Sequence, residues 1–235
     1  MTRGLVQSRA RGRDAVLRGI VRVNGEGARK PAQHVMPGDV LSLADDSARY
    51  VSRAALKLLH SLSLFAIDPK GKSCVDLGAS TGGFTQVLLE AGAAHVTAID
   101  VGHGQMAASL ANDPRVTLRE GLNARDIIRS DIPDDVALIV SDVSFISLKL
   151  ALPPLLSLVQ PGTHLVALIK PQFEVGREAL GKGGVVREEA LLEKCCADIA
   201  DFITAQGWRV GGIAPSPIEG GDGNREFLLA AHKVT

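Results

Sequence analysis

Residues 75–85 read Val75-Asp76-Leu77-Gly78-Ala79-Ser80-Thr81-Gly82-Gly83-Phe84-Thr85. This stretch has the pattern of an apolar strand that runs through a glycine-rich turn into an amphipathic helix, from Gln86 to Ala91. A second apolar strand, His95 to Ile99, follows and ends at Asp100. Glycines let the backbone approach a ligand, a helix N-terminus attracts an anionic group, and a carboxylate at the next strand end can hold two ribose hydroxyls. The pattern therefore predicts a site for a nucleotide-type cofactor.

The turn lacks the spacing Gly-x-Gly-x-x-Gly that a dinucleotide pyrophosphate requires. Its form, Asp-Leu-Gly-x-x-x-Gly-Gly-Phe, resembles the first motif of S-adenosylmethionine (SAM) methyltransferases. This resemblance implies SAM as the cofactor, with the turn on the methionine moiety, Asp100 on the ribose and Asn123 beside the adenine. It implies cofactor contacts from Asp76, Gly78, Ser80, Thr81, Gly82, Gly83, Phe84, Asp100, Asn123 and Asp142. The alternative is a structural glycine turn, common in α/β proteins, with Asn123 as an ordinary turn residue.

Length and composition limit the range of architectures. A chain of 235 residues, 46% of them hydrophobic, can hold one substantial domain and a small module. No apolar run has membrane-spanning length, and the N-terminus lacks the apolar region of a signal peptide. Cys74 and the adjacent pair Cys195 and Cys196 have no metal-ligand spacing. We therefore expect a protein of the reducing cytoplasm, with no metal and no membrane partner.

Charge is unevenly divided along the chain. Residues 1–60 hold 11 Lys or Arg against 5 Asp or Glu, a net charge of +6, and the remaining residues hold 15 against 21. A basic N-terminal module on an acidic body suggests contact with a polyanion. A solvated basic face is the alternative.

The basic region has an ordered series of local signals. Ser8 can cap a helix that ends at Gly19, and the strand Ile20–Val23 leads into an Asn24-Gly25 turn. Lys30-Pro31 and the turn and strand from Pro37 to Leu43 follow. Over about residues 4–44 this series resembles the small RNA-binding module of ribosomal protein S4 type. The resemblance implies RNA contacts from Arg9, Arg11, Arg13, Arg18 and Lys30.

The module departs from its usual pattern at the start. A further helix normally precedes residue 4, whereas only Met1 to Arg3 stand there in this chain. The expectation is either a short module or a natural start that lies further upstream.

From Lys72 onward, apolar strands alternate with helical stretches. Helices are expected over Ile146–Val159 and Arg187–Gln206. The expected strands are Cys74–Leu77, Val96–Asp100, Val116–Arg119, Val136–Ser141, Leu165–Lys170, Trp208–Ala214 and Glu226–Ala231. The alternation predicts an α/β, Rossmann-like fold with a doubly wound, mostly parallel sheet whose last strand is antiparallel, as in SAM methyltransferases. The expected boundaries are 1–46 for the small α+β RNA-binding module, 47–56 for a linker and the start of the catalytic domain, and 57–235 for the FtsJ-like methyltransferase domain.

Polar residues end the fourth and fifth strands, at the sheet edge where ligands bind in this architecture. Asp142 lies in Ser141-Asp142-Val143-Ser144-Phe145, without the Pro-Pro-aromatic sequence of amino-group methyltransferases and without a cysteine nucleophile. With those two classes set aside, the expected methyl acceptor is a hydroxyl or a similar oxygen. Lys170 follows four apolar residues, and burial beside other cations can hold a lysine neutral as a base. A lysine that merely extends to solvent is the alternative.

Motifs over nearly the whole chain resemble the TlyA family. They are Ser-Arg-x-Ala-x-Lys-Leu at 52–58, Val-Ser-Asp-Val-Ser-Phe-Ile-Ser at 140–147, Ile-Lys-Pro-Gln-Phe-Glu-Val-Gly at 169–176 and Asn-x-Glu-Phe at 224–227. Its members are described as haemolysins and as ribosomal RNA 2′-O-methyltransferases with an FtsJ-like catalytic domain. The resemblance implies a catalytic tetrad of Lys57, Asp142, Lys170 and Glu226.

The function that this resemblance implies is SAM-dependent methylation of a ribose 2′-hydroxyl in ribosomal RNA. The short start is similar to family members that act on the large subunit, so we expect a cytidine of 23S rRNA, with 16S rRNA as a second candidate. The rival hypotheses are a membrane-active haemolysin and a non-catalytic protein that binds SAM and RNA. The segment from Glu174 to Val186 is either a lid over the acceptor or an ordinary connecting loop.

Overall fold

The structure is a computed structural model that describes residues 5–6, 9–17, 19–43, 49–181, 183–220 and 223–234. The chain forms two compact units, Met1–Arg53 and Ala54–Thr235. They part where a helix begins at Ala54, within the segment 47–56 that was expected to hold the linker and the start of the catalytic domain. Ser8 and Arg18, the expected cap and last arginine of the first helix, lie outside the described residues.

The N-terminal unit is a small α+β module. It contains α1 (Arg9–Leu17), β1 (Val21–Val23), β2 (Glu26–Gly27) and β3 (Leu41–Leu43), with the strands antiparallel in the order β2-β1-β3. Ala15 and Ile20 are buried at its centre. The β1–β2 turn needs positive φ angles, and Asn24 (54°) and Gly25 (86°) supply them. The Asn24 side chain donates to Asp39 Oδ1 and accepts from the Val40 amide, both at 2.8 Å, which fixes the long connection to β3.

The C-terminal unit is a seven-stranded sheet in the order β6-β5-β4-β7-β8-β10-β9. Its strands are β4 (Ser73–Leu77), β5 (His95–Asp100), β6 (Val116–Glu120), β7 (Val136–Ser141), β8 (His164–Ile169), β9 (Trp208–Pro215) and β10 (Phe227–Lys233). The first five are parallel, and β10 is antiparallel to both of its neighbours. The predicted fold class, including the antiparallel last strand, is confirmed.

The α-helices of this unit are α2 (Ala54–Leu64), α3 (Gly83–Glu90), α4 (Ala108–Ala111), α5 (Leu148–Ala151), α6 (Pro153–Leu158) and α7 (Glu189–Ala205). The helices expected after the glycine turn and after β7 need correction. The helix after the glycine turn begins at Gly83 rather than at Gln86, because Gly82 adopts a left-handed conformation (φ 93°) that precedes the first helical turn. The single helix expected over Ile146–Val159 is divided, since Pro153 and Pro154 lack the amides that would continue it.

Burial places the core between the sheet and its helices. Strands β4, β7 and β8 are buried at almost every position, as parallel strands covered on both faces should be. Their carboxyl ends, at Leu77, Ser141 and Ile169, therefore come to one edge of the sheet.

Candidate functional site

The glycine turn after β4 is packed against the residues that follow β7. Gly78 has a φ of 86°, and its amide donates to the carbonyl of Ile99 at 2.8 Å. A Cβ atom at Gly78 would lie 3.0 Å from the backbone carbon and oxygen of Asp142. Only glycine allows this approach, and the turn so formed makes one wall of a cavity.

An open cavity of about 890 Å³ lies at the carboxyl ends of β4, β5 and β7. Five residues that the sequence predicted as cofactor contacts line it: Gly78, Ser80, Asp100, Asn123 and Asp142. Apolar side chains form much of the remaining wall, among them Ile99, Leu122, Ile146 and Leu150. A mostly apolar cleft with a few convergent polar groups is suited to a small organic ligand.

Asp100 holds the glycine turn in place at Ser80. Its Oδ2 accepts from the Ser80 amide and its Oδ1 from the Gly102 amide, both at 2.7 Å. Each carboxylate oxygen has a second lone pair, so Asp100 retains acceptor capacity toward the cavity. Gln105, which the sequence analysis did not single out, also lines the cavity and accepts from the Ser80 hydroxyl at 3.0 Å.

Asp76 lies beneath the turn and is fully buried. Its Oδ2 accepts from the Thr85 hydroxyl at 2.7 Å, whereas Oδ1 has no hydrogen-bond partner among the described groups. Burial raises the pKa of Asp76 to about 7, although the Thr85 hydrogen bond opposes this rise, and Asp142 adds to it. The side chain does not line the cavity in this structure.

The remaining residues of the motif build the turn and do not line the cavity. Gly82 precedes α3, and Gly83 and Phe84 are buried in its first turn. Thr81 is exposed, and its carbonyl accepts from the amide of Ala107 at 3.2 Å.

Asn123 lines the cavity, and its Oδ1 accepts from the Arg125 amide at 3.0 Å, so it also caps a short 3₁₀ turn.

The four residues of the expected tetrad form two ion pairs, in which Lys57, Glu226 and Lys170 are buried and Asp142 is partly exposed. Lys57 on α2 donates to Glu226 Oε2 at 2.5 Å, and both side chains are less than a tenth exposed. Lys170, immediately after β8, lies with its Nζ 2.6 Å from Asp142 Oδ1. Phe227 faces Ile169 across the β8–β10 pair, so Glu226 and Lys170 occupy adjacent positions at the sheet edge. Residues separated by as many as 169 positions in the chain are thereby brought to one region.

An aromatic residue beside the cavity was not predicted from the sequence. Phe145 lines the cavity, is 90% exposed and has a φ of 64°, which is rare for a bulky side chain. Its ring centroid lies 5.2 Å from that of Phe173. Aromatic residues make up only 3% of this chain, so the phenylalanine within the motif Val-Ser-Asp-Val-Ser-Phe-Ile-Ser could have been singled out from the sequence as a candidate site residue.

The segment expected as a lid or connecting loop is joined to its surroundings at both ends. Glu174 accepts from the Ser147 hydroxyl at 2.5 Å and from the Leu148 amide at 2.8 Å. At the other end, the Val186 amide donates to Asn224 Oδ1 at 3.3 Å.

The model of the family "FtsJ-like methyltransferase" matches residues 50–233 of this chain. A second model, that of the S4 domain, matches residues 2–41. The 16S/23S rRNA (cytidine-2′-O)-methyltransferase TlyA of Mycobacterium tuberculosis (strain CDC 1551 / Oshkosh) is 46% identical over 228 residues, which are 97% of this chain and 85% of that protein.

The chain belongs to the TlyA family of FtsJ-like methyltransferases.

Solved structures agree with this assignment. A structure from Streptococcus thermophilus named as a hemolysin is 41% identical to this TlyA-family chain, covers 99% of it and 86% of its own chain, and superposes with a TM-score of 0.80. An S-adenosylmethionine-dependent methyltransferase from Mesorhizobium loti, at 16% identity, covers 74% of this chain and 96% of its own with a TM-score of 0.56. The second likeness supports the methyltransferase fold alone.

The expected RNA-binding residues of this TlyA-family chain lie in the N-terminal unit. Arg9 and Arg13 are exposed on α1, and Lys30 is exposed in the β2–β3 connection. Arg11 lies in the same helix, and Arg18 is outside the described residues. Lys30 and Arg29 help to line a shallow cleft of about 510 Å³.

Two further features of the described parts of this TlyA-family chain concern membranes and metals. No helix there is both long enough and apolar enough to cross a membrane. Within the same residues, no group of three or more His, Cys, Asp or Glu side chains could hold a metal ion.

Proposed function

We propose that this chain transfers the methyl group of SAM to the ribose 2′-hydroxyl of a cytidine in ribosomal RNA. The observation that carries the proposal is the pair of buried lysine–carboxylate contacts, Lys57–Glu226 and Lys170–Asp142, at the sheet edge beside the cavity. The Mycobacterium tuberculosis relative carries this activity in its name. The S4 match over residues 2–41 supports an RNA substrate.

The residues around the cavity fit SAM. The turn at Gly78 allows a ligand close to the backbone, and Asp100 offers carboxylate oxygens where ribose hydroxyls would bind. Asp76 does not line the cavity, but its buried carboxyl lies beneath the glycine turn, where a negative charge favours the ammonium of the methionine moiety. When bound, SAM supplies a methyl group that its sulfonium charge has already activated, so the transfer requires no metal.

Lys170 and Asp142 then act on the acceptor. A ribose 2′-hydroxyl is a weak acid, so its oxygen becomes a good nucleophile only as its proton is drawn away. A neutral Lys170 can take this proton, whereas a protonated Lys170 can orient the oxygen and stabilise its developing charge. Asp142 fixes the amine at 2.6 Å in either case. Lys57, held by Glu226, provides a second positive charge for the ribose or an adjacent phosphate.

Phe145 is suited to hold the base of the target nucleotide. Its exposed ring lies three residues beyond Asp142 and is supported by Phe173. Aromatic faces stack on unpaired bases, and ribose chemistry within folded RNA requires an exposed or extruded nucleotide. The target is therefore expected in a loop or junction of the rRNA.

The experiment uses purified full-length protein, SAM with a labelled methyl group, and isolated large and small ribosomal subunits. Label should enter 23S rRNA, and nucleoside mass spectrometry should identify 2′-O-methylcytidine. Label in 16S rRNA at a comparable rate would extend the substrate to both subunits and overturn the large-subunit preference. SAM binding without label in either rRNA would overturn the proposed function and favour a non-catalytic SAM- and RNA-binding protein.

A further inference from the structure

Ser144 is a polar residue of the turn that follows β7, and the tetrad does not include it. The side chain is exposed, lines the cavity and lies two residues beyond Asp142. Its Oγ accepts a hydrogen bond from Lys170 Nζ at 2.8 Å. The amine of Lys170 therefore has two oxygen neighbours, since Asp142 Oδ1 lies at 2.6 Å.

The backbone around Ser144 is held on both sides. The carbonyl group of Asp142 is packed against Gly78, with no room for a Cβ atom, and Val143 is buried. Phe145 then bends the chain with its positive φ of 64°. A strained conformation of this kind persists only where the surroundings enforce it, and such conformations concentrate at functional sites. Here it fixes the hydroxyl beside the amine.

We propose that Ser144 is a positioning residue for Lys170 in methyl transfer, an inference that rests on the proposed 2′-O-methyltransferase function. The lysine nitrogen has four tetrahedral positions, of which Cε takes one. The Ser144 hydroxyl takes a second as the acceptor of a hydrogen bond. Asp142 Oδ1 lies 2.6 Å from the nitrogen as an ion-pair partner, outside hydrogen-bond geometry. The Ser144 hydrogen bond therefore sets the direction of the remaining N–H groups or lone pair toward the acceptor hydroxyl.

The second lysine of the site differs in this respect. Among the described residues, Lys57 Nζ has one oxygen partner, Glu226 Oε2. Lys57 therefore donates to its own ion-pair carboxylate, whereas Lys170 donates to a hydroxyl while the carboxylate of Asp142 lies beside it outside hydrogen-bond geometry. The contrast assigns the hydrogen bond that orients the Lys170 amine to Ser144.

A pair of nearly isosteric variants tests the hydroxyl separately from the side-chain volume. Ser144→Thr keeps the oxygen, and Ser144→Val replaces it with a methyl group of similar size. With wild-type protein, labelled SAM and large ribosomal subunits, we expect Ser144→Val to lower kcat at least about tenfold. Ser144→Thr should stay within about threefold of wild type. The KM for the subunits and the SAM Kd by calorimetry should be unchanged in both variants. Ser130→Ala, an exposed serine elsewhere in the same unit, is the control.

Several outcomes would overturn the inference. They are equal kcat values for the valine variant and wild type, equal losses for valine and threonine, or a loss confined to KM or to SAM affinity. Wild-type protein that binds SAM but methylates no rRNA would instead refute the proposed function, so the two failures are distinct. Thermal unfolding of each variant separates misfolding from a catalytic defect, and Ser144→Ala provides a smaller substitution if the valine variant unfolds early.

Discussion

At the residue scale, the site places two lysines and two carboxylates in positions that are largely closed to water. An isolated charge in such a place is costly, and removal of one partner leaves the other unpaired. Each lysine here has a carboxylate within 2.6 Å, so each pair is close to neutral as a unit. The arrangement lets the chain hold cationic groups near an apolar cavity without a large loss of stability.

Replacement of Lys170 by alanine should abolish methyl transfer and leave SAM binding nearly unchanged. Lys170 contacts Asp142 and Ser144, whereas Gly78 and Asp100 line the cavity proposed for SAM. Loss of a general base or of charge stabilisation lowers kcat about 100-fold or more. Labelled-methyl incorporation and calorimetry measure the two properties.

Lys194→Ala is the matched control for this variant, since Lys194 is an exposed lysine paired with Asp198 on α7. Residual turnover of Lys170→Ala within about tenfold of wild type would exclude Lys170 as an essential base or positioner.

Asp76 predicts a pH dependence of stability in the absence of SAM. Burial raises its pKa to about 7 in the folded state, compared with about 3.9 for an unfolded aspartate. Between about pH 4 and 7 the folded state holds a proton that the unfolded state releases, so stability should fall as pH rises through this range. Asp76→Asn, which resembles the protonated side chain, should remove that part of the slope. Urea unfolding at pH 5 and pH 8 measures it.

The exposed residue Asp201, replaced by asparagine, is the control for Asp76→Asn. A slope that persists in Asp76→Asn would mean that other groups cause it. SAM affinity offers an independent measurement. An ionised Asp76 attracts the methionine ammonium, so wild-type affinity should rise through about pH 7, and the Asp76→Asn variant should lack this rise.

Motifs indicated which residues to expect at the site, but not the contacts between them. Lys57 and Glu226 are 169 positions apart in sequence, and they meet because α2 packs beside the start of β10. Asp76 belongs to the glycine motif, yet its side chain is directed into the core toward Thr85. The role of Ser144 depends on a positive φ at Phe145, which no local preference of phenylalanine indicates.

At the scale of elements, the strands were predictable because burial on both faces produces continuous apolar runs. The expected strand over Val136–Ser141 agrees with β7 residue for residue. Boundaries differ where a local conformation intervenes. Lys170 was expected within its strand, but β8 ends at Ile169, because Pro171 follows and Lys170 turns toward Asp142 and Ser144.

The prediction at the scale of elements concerns Gly78, in the turn between β4 and α3. Gly78→Ala should raise the SAM Kd at least about tenfold and lower methyl transfer, since the new Cβ atom would lie 3.0 Å from the Asp142 backbone. The backbone must then shift at the cavity wall and move Asp142 away from Lys170. The positive φ also costs about 1–2 kcal/mol for alanine.

Gly162→Ala is a matched control for the turn variant. Gly162 has a similar φ of 89°, but a Cβ atom there meets nothing within 4 Å. It should therefore lose about 1–2 kcal/mol of stability while SAM affinity and transfer stay at the wild-type level. A wild-type SAM affinity for Gly78→Ala, equal to that of Gly162→Ala, would show that the close approach of Gly78 to Asp142 does not determine SAM binding.

At the scale of the whole molecule, the chain combines a basic unit with an acidic one. Residues 1–60 carry a net charge of +6, whereas the remainder carries −6. The family models divide the chain in the same way, with S4 over residues 2–41 and the methyltransferase over residues 50–233. The basic N-terminal segment and the alternation of strands and helices from Lys72 onward predicted this organisation, because the two units differ in charge and in their pattern of secondary structure. The side chains that would contact RNA were predicted only by resemblance, because a solvated arginine leaves no packing signal.

The N-terminal unit should contribute RNA affinity without contributing to SAM binding. Arg9 and Arg13 are exposed on α1, and each phosphate contact that is lost should reduce the slope of log affinity against log salt by about 1. We therefore expect the double variant Arg9→Gln/Arg13→Gln to bind 23S rRNA fragments more weakly between about 50 and 200 mM salt, with a slope smaller by about 1–2. Fluorescence anisotropy measures the slope, and calorimetry should give an unchanged SAM Kd.

The control for this variant removes the same charge from the methyltransferase unit. Arg119 and Arg209 are exposed on β6 and β9, so Arg119→Gln/Arg209→Gln changes the net charge equally. If attraction between the whole protein and RNA were nonspecific, both double variants would lose affinity and salt dependence to the same extent. A larger effect from the α1 variant identifies the N-terminal unit as the RNA-binding surface, because only direct phosphate neutralisation releases counterions at that helix. Equal effects, or a parallel loss of SAM affinity, would contradict the assignment of RNA binding to the N-terminal unit and of SAM binding to the methyltransferase unit.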